Sequence, residues 1–154
     1  HPACGVCLMH MHRDPQTMQM QTMTGDALTE VTAFLKGRAE SLSAQGIAAS
    51  RLMLDPGIGF GKTVAQNFQL LARQADLLRL GYPVLAGWSR KSSLGAVLSE
   101  NGQTPEPAQR QAASVAAALL AVERGACVVR VHDVKQTVDA LKVWQAMQLH
   151  ADAG

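Results

Sequence analysis

The chain predicts a parallel α/β architecture, half of a closed (β/α)8 barrel. Three observations carry this. Four short apolar runs recur along the sequence, each followed by a polar loop and at least one helical pattern. That alternation requires parallel strands joined by right-handed crossovers. The length, 154 residues, suits one ordinary domain, whereas a complete barrel typically takes about 250. The start, His1-Pro2-Ala3-Cys4, is neither an initiator methionine nor a signal peptide and reads as the middle of a longer chain. A doubly wound sheet also fits this length, but a lone four-stranded parallel sheet would expose two edges and leave one face poorly covered.

The first strand is expected at Val6–Met9. Its C-x-x-C pair, Cys4 and Cys7, with His10 and His12 nearby, has zinc-like spacing. The pair leads into a strand instead of opening a helix, and no second C-x-x-C follows, so Cys7 is better read as an ordinary residue of that strand, whose neighbours alternate faces, and no metal site is expected. A helix over Asp26 to Gln45 should bury Leu28, Val31, Phe34, Leu35 and Leu42, with Gly46 stopping it. The second strand is expected over Arg51 to Leu54. A single helix should then span Thr63 to Leu80, its stripe being Val64, Phe68, Leu71, Ala75 and Leu78. Gly81 and Pro83 end it ahead of the third strand, Val84 to Ala86. Ser99 to Glu106 reads as a surface loop, and Pro107 to Arg124 as an alanine-rich helix packed closely on its neighbours. The fourth strand is expected at Cys127 to Val131, with Cys127 in the core. Val134, Val138, Leu141 and Trp144 should face inward on the last helix.

Composition narrows the function. Apolar residues at 47% against 17% charged describe a folded chain. A net charge of +2 is too small to argue for nucleic acid or a membrane surface, and no apolar run reaches the roughly 18 residues that span a bilayer. Three cysteines without a pairing pattern suit a reducing, cytoplasmic setting.

The most telling stretch is Asp55-Pro56-Gly57-Ile58-Gly59-Phe60-Gly61-Lys62, which closes the second strand with a carboxylate and a glycine-rich turn. Gly61-Lys62-Thr63 imitates the end of a nucleotide P-loop, but Pro56 occupies the required glycine position. The dinucleotide G-x-G-x-x-G is missed as well. In parallel α/β proteins a carboxylate at a strand's carboxyl end faces the ligand crevice. The other strand-end loops are His10–Pro15, Gly87–Ser92 and Arg130–Asp133, so Asp55, Lys91, Arg130 and His132 should converge on one rim. One acid among several bases suits a ligand with two adjacent N–H donors and an anionic group such as a diphosphate. Alternation along a strand would point Arg130 and His132 the same way.

Four strings in this order resemble the dihydropteroate synthase family of folate biosynthesis: Cys7–Met11, Leu54–Lys62, Gly87-x-Ser89-Arg90-Lys91-Ser92, and Arg130–Val134. The resemblance runs from Val6 to Trp144. It implies an eight-stranded barrel of which this chain is the C-terminal half, residues 1–154 forming a partial pterin-binding domain. It also implies a transferase that joins 6-hydroxymethyl-7,8-dihydropterin diphosphate to 4-aminobenzoate. By that resemblance Asp55 would grip the pterin's ring N–H and exocyclic amine, Lys91 would donate to its O4 and N5, and Met9 would contact the ring. Arg130 would stack over the pterin and, with His132, hold the diphosphate. Gly87 lies in the same motif, and Phe60 and Ser89 would shape the aminobenzoate subsite. Lys91, Arg130 and His132 are the residues expected to carry catalysis. Magnesium would bridge diphosphate oxygens, its protein ligand lying in the missing N-terminal half, and the intact enzyme would be a homodimer through late helices. The chain departs from the family in lacking the first half, and in Trp88, which would crowd the pocket mouth.

Three rival readings remain in view: a methyltetrahydrofolate-dependent methyltransferase barrel, a non-catalytic fragment that folds by pairing its open edges, and nucleotide binding through Gly57 to Lys62. The first has no use for Lys91 together with an Arg130–His132 anion site.

Overall fold

The computed structural model describes residues 1, 3–18 and 20–151. Four parallel strands, β1 (Val6–Met9), β2 (Leu52–Asp55), β3 (Val84–Ala86) and β4 (Ala126–Val129), form one sheet in the order β1-β2-β3-β4. A doubly wound sheet would reverse direction at a switch point. The unbroken order is that of consecutive strands in a β/α barrel, and it sets Met9 beside Asp55 in register.

Helix α1 (Ala27–Ala44) begins where Asp26 accepts from the Leu28 amide and is capped at its end by Gln45, with Gly46 following at φ 87°. Leu28, Val31, Leu35 and Ala39 are buried at helical spacing. Leu42 continues the stripe but is half-buried, and Phe34 lies outside it, exposed. Phe34 instead meets the His10 ring edge-on at 5.1 Å.

The single helix expected over Thr63 to Leu80 is two pieces. A Thr63–Gln66 capping box starts α2 (Val64–Ala72), which gives way to a 3₁₀ segment, Gln74–Leu80. Three residues per turn instead of 3.6 rotates the inward face. Gln74 and Leu77 are therefore buried while Ala75 and Leu78 turn outward. Gln74 Nε2 donates to the carbonyls of Ala121 and Arg124, satisfying the carboxyl end of a later helix.

After β3 comes a short helix absent from the sequence reading, α3 (Ser92–Val97), and then a 3₁₀ turn, Pro107–Arg110, that leads into α4 (Gln111–Glu123). Helix α5 (Val134–Ala151) departs further from expectation: its fully buried residue is Thr137, not the aliphatic stripe. Thr137 donates through Oγ1 and its amide to the Asp133 carbonyl, while Val134 and Val138 lie at the surface. Leu141 and Trp144 are half-buried. No helix among the described residues is long and apolar enough to cross a membrane.

The core fills one face of the sheet only. Leu54, Val84, Ala86 and Ala126 pack against Leu28, Val31, Leu35, Leu70, Leu77, Ala117 and Ala121. On the opposite face lie Cys7, Leu85 and Val128, exposed or half-buried. Cys127, expected in the core, is exposed too, next to a register shift between β3 and β4. Apolar residues on a strand face that no helix covers are what the inner wall of half a barrel presents.

Candidate active site

The loops at the carboxyl ends of the four strands meet on one rim. Asp55 ends β2, where its side chain is buried and one oxygen accepts from the Gly57 amide at 2.7 Å. The turn depends on glycine at 57: φ is 68°, and a Cβ there would collide with the His10 carbonyl. Burial raises the Asp55 pKa above the ordinary carboxylate value, opposed by the Gly57 amide and then by Arg130, Lys91 and Lys62. The other carboxylate oxygen lies 3.8 Å from Arg130 Nη2.

Lys91 precedes α3 and projects its ammonium over the Phe60 ring, 4.2 Å from the centroid. Burial lowers its pKa and Arg130 lowers it further, with Asp55 acting in the opposite direction. The guanidinium of Arg130 packs onto Gly87, where a Cβ would come within 2.9 Å of Nη2. Ser89, buried, bonds His132 twice: its Oγ accepts from the His132 amide at 3.1 Å and lies 2.9 Å from Nδ1. Gly87, Ser89, Lys91, Arg130, Val131 and His132 line a cavity of about 260 Å³.

The site residues expected from sequence are thus brought together, in two tiers. Gly87, Ser89, Lys91, Arg130 and His132 form the cavity wall. Asp55 adjoins it through Arg130, Phe60 through Lys91, and Met9 stands beside Asp55 on the neighbouring strand. One reason offered for the convergence is wrong. β4 ends at Val129, so Arg130 and His132 are not alternate residues of a strand. They meet because the Arg130 amide still donates to Ala86 and because Ser89 holds His132. Trp88 does not crowd the mouth either; it is 2% exposed and packs against Phe68 in the core.

Sequence reasoning missed the supports behind this wall. Lys62 is 4% exposed, and its ammonium donates to the carbonyls of Gly57 and Phe60 and sits 2.9 Å from His10 Nδ1. It laces the glycine loop from within and is unavailable to a nucleotide phosphate, which removes the P-loop reading. Asn67 accepts from the Gly59 amide and donates to Ser93, joining the same loop to α3. Arg90 forks onto Asp133. Only the Thr63-x-x-Gln66 capping signature, just after the loop, was open to a reader of the sequence. Among the described residues no cluster of His, Cys, Asp and Glu is arranged to hold a metal ion.

Comparison with known proteins agrees with this geometry. Residues 2–132 match the family described as pterin binding enzyme. The chain is 48% identical over 147 residues to the dihydropteroate synthase of Neisseria meningitidis serogroup C, covering 95% of this chain and 50% of that one. Against the Escherichia coli K12 dihydropteroate synthase the identity is 42%, covering 92% and 48%. Among solved structures, Stenotrophomonas maltophilia dihydropteroate synthase superposes with a TM-score of 0.87 at 51% identity, over 94% of this chain and 53% of that one. The Xanthomonas albilineans enzyme in complex with 7,8-dihydropteroate gives 0.83 at 49%, over 94% and 50%. The chain spans about half the length of the relatives it matches.

Proposed function

The chain belongs to the pterin binding enzyme family, and from that premise we propose that it supplies the pterin-binding and diphosphate-binding half of a dihydropteroate synthase. The observation that carries the reading is the shared mouth. A buried carboxylate, Asp55, lies 3.8 Å from Arg130, which lines one cavity with Lys91 and His132. A methyltetrahydrofolate-dependent methyltransferase would have no anion for this second group of residues to hold.

In this reading Asp55, ionised, accepts from two adjacent N–H groups on one edge of the pterin. Lys91 donates to O4 and N5, Met9 packs on the ring, and Arg130 stacks over it. The reaction breaks the bond between the pterin methylene carbon and the diphosphate oxygen, and the electron pair leaves with pyrophosphate. Arg130 and His132 stabilise charge where it develops on that leaving group. The 4-aminobenzoate amine, held beside Phe60, Ser89 and Lys91, forms the new C–N bond and releases its proton to solvent. No covalent enzyme intermediate is required. A cavity walled by cations does not fit a magnesium ion, so no step is assigned to one here; the metal expected with the diphosphate would take its protein ligand from outside these residues.

The intact enzyme is read as a cytoplasmic homodimer. Support comes from three free, exposed cysteines and from a groove of about 640 Å³ between α4 and α5, lined by Leu119, Leu120, Val143, Trp144 and Met147. By itself the chain holds only part of the substrate contacts. The test joins it behind the first half of the Neisseria meningitidis synthase and supplies dihydropterin diphosphate with labelled 4-aminobenzoate. Label should enter dihydropteroate with the joined protein and far less with the chain alone. A joined, folded protein that leaves the label in 4-aminobenzoate refutes the reading.

A further inference from the structure

Arg90 is the one residue between Ser89 and Lys91, and its backbone is unusual. Its φ is 60°, a left-handed conformation that bulky side chains rarely adopt. Four contacts hold it there. Its amide donates to Ser114 Oγ at 2.9 Å and its carbonyl accepts from Arg110 Nη1 at 3.1 Å. Its guanidinium meets Asp133 with both prongs, Nη2 to Oδ1 at 2.9 Å and Nε to Oδ2 at 3.3 Å. Asp133 follows His132 directly, takes a further bond from Gln111 Nε2, and through its carbonyl anchors Thr137 at the start of α5. The β3 and β4 loops are therefore tied twice: by Ser89 and His132 inside the cavity, and by Arg90 and Asp133 behind it.

We propose that Arg90 and Asp133 are positioning residues, whose ion pair fixes the spacing of Lys91 against Arg130 and His132 and so tunes the cavity's grip on a diphosphate. The inference rests on the reading of that cavity as an anion site. Ser89 and Lys91 both line the cavity, while the side chain between them, on left-handed backbone, turns out to Asp133. A two-pronged guanidinium–carboxylate contact constrains direction as well as distance, which a lysine or a single hydrogen bond would not. The Asp133 pKa is held below the ordinary carboxylate value, first by its bond from Arg90.

Charge alone and positioning make opposite predictions for Asp133. Removing a negative charge beside an anion site should strengthen anion binding by Coulomb attraction. Removing a support should weaken it. Inorganic pyrophosphate is titrated calorimetrically into the chain, without added metal, for wild type, Arg130→Ala, Asp133→Ser, Arg90→Asp and the swap Arg90→Asp with Asp133→Arg. Serine suits the position just before a helix, and aspartate tolerates the left-handed backbone at 90. Wild type should bind, and Arg130→Ala should lose most of that binding. Asp133→Ser should bind roughly tenfold more weakly with an unchanged melting temperature, and the swap should recover most of the loss. Asp133→Ser binding as tightly as wild type, or more tightly, overturns the positioning role and leaves the anion site standing. Should Asp133→Ser melt early, the swap decides: affinity no better than that of Arg90→Asp alone overturns the role. Wild type that binds no pyrophosphate overturns the site and the inference together.

Discussion

Acid should unfold this chain partly through one histidine. His10 is 3% exposed, and burial, then Lys62, then His12 push its pKa from 6.5 down to about 4. The surroundings explain the direction. Lys62 Nζ points at Nδ1 from 2.9 Å, Phe34 presents its ring, and the nearest carboxylate, Glu30, stays 3.9 Å from Nε2. The fold thus keeps His10 neutral, accepting a bond from an ammonium. Below pH 6.5 the unfolded chain binds a proton at this side chain that the native chain refuses until about pH 4. Stability is therefore insensitive to this group above 6.5 and falls as the pH drops towards 4. Lowering the pKa from 6.5 to about 4 is worth about 3 to 4 kcal/mol in full, at about 1.4 kcal/mol per pH unit, and about 3 kcal/mol of it is lost between pH 6.5 and 4. Urea unfolding followed by tryptophan fluorescence at pH 7, 6, 5 and 4 measures it. Carboxylates contribute to the same acid limb, so the informative quantity is the difference from His10→Gln, in which an amide oxygen can still accept from Lys62. The variant should lose about 3 kcal/mol less than wild type between pH 6.5 and 4. Parallel pH profiles for the two proteins would refute the argument that His10 is held neutral.

Asp55→Asn replaces one acceptor with a donor where two donors are to be gripped. It should weaken pterin binding by roughly ten- to a hundredfold, from the usual worth of a charged hydrogen bond, and unchanged affinity in a pterin titration would count against the assignment. Lys91→Ala in the joined enzyme should cut turnover severely while its circular dichroism stays that of wild type; wild-type rates would remove Lys91 from the mechanism. Lys62→Met leaves His10 Nδ1 without its donor and strips the second donor from the Gly57 and Phe60 carbonyls, which keep the amides of Phe60 and His12; it should cost about 2 kcal/mol or more in urea unfolding. The same lysine predicts no appreciable ATP affinity, and ATP binding that Lys62→Ala abolishes would restore the nucleotide reading.

Much of the rim was open to a reader of the sequence. A strand is short, and the residue that ends it is carried to the rim by the chain's own direction, so Asp55 and the loops holding Lys91 and His132 could be placed before any coordinates. Helix α1 was similarly legible, since Asp26 and Gly46 mark its ends through local backbone chemistry. The failures have a common cause. The stretch Thr63–Leu80 carries an acceptable helical stripe throughout, but Gln74 is drawn inward by carbonyls of Ala121 and Arg124, forty-seven and fifty residues away. Cys127 has a core residue's chemistry and lies on a face that no helix covers. On α5 the aliphatic stripe loses the interior to Thr137, which the Asp133 carbonyl claims.

Order and spacing of local signals therefore determined by themselves that this is a run of β/α units, and which side chains would stand at the strand ends. Only the tertiary structure decided how those side chains are held. Lys62 beneath the glycine loop, Asn67 across to Ser93, Ser89 on His132 and Arg90 on Asp133 each join elements from different parts of the chain. A buried polar group must find its partner wherever the fold brings one within about 3 Å, and that distance leaves no mark on the sequence around either residue.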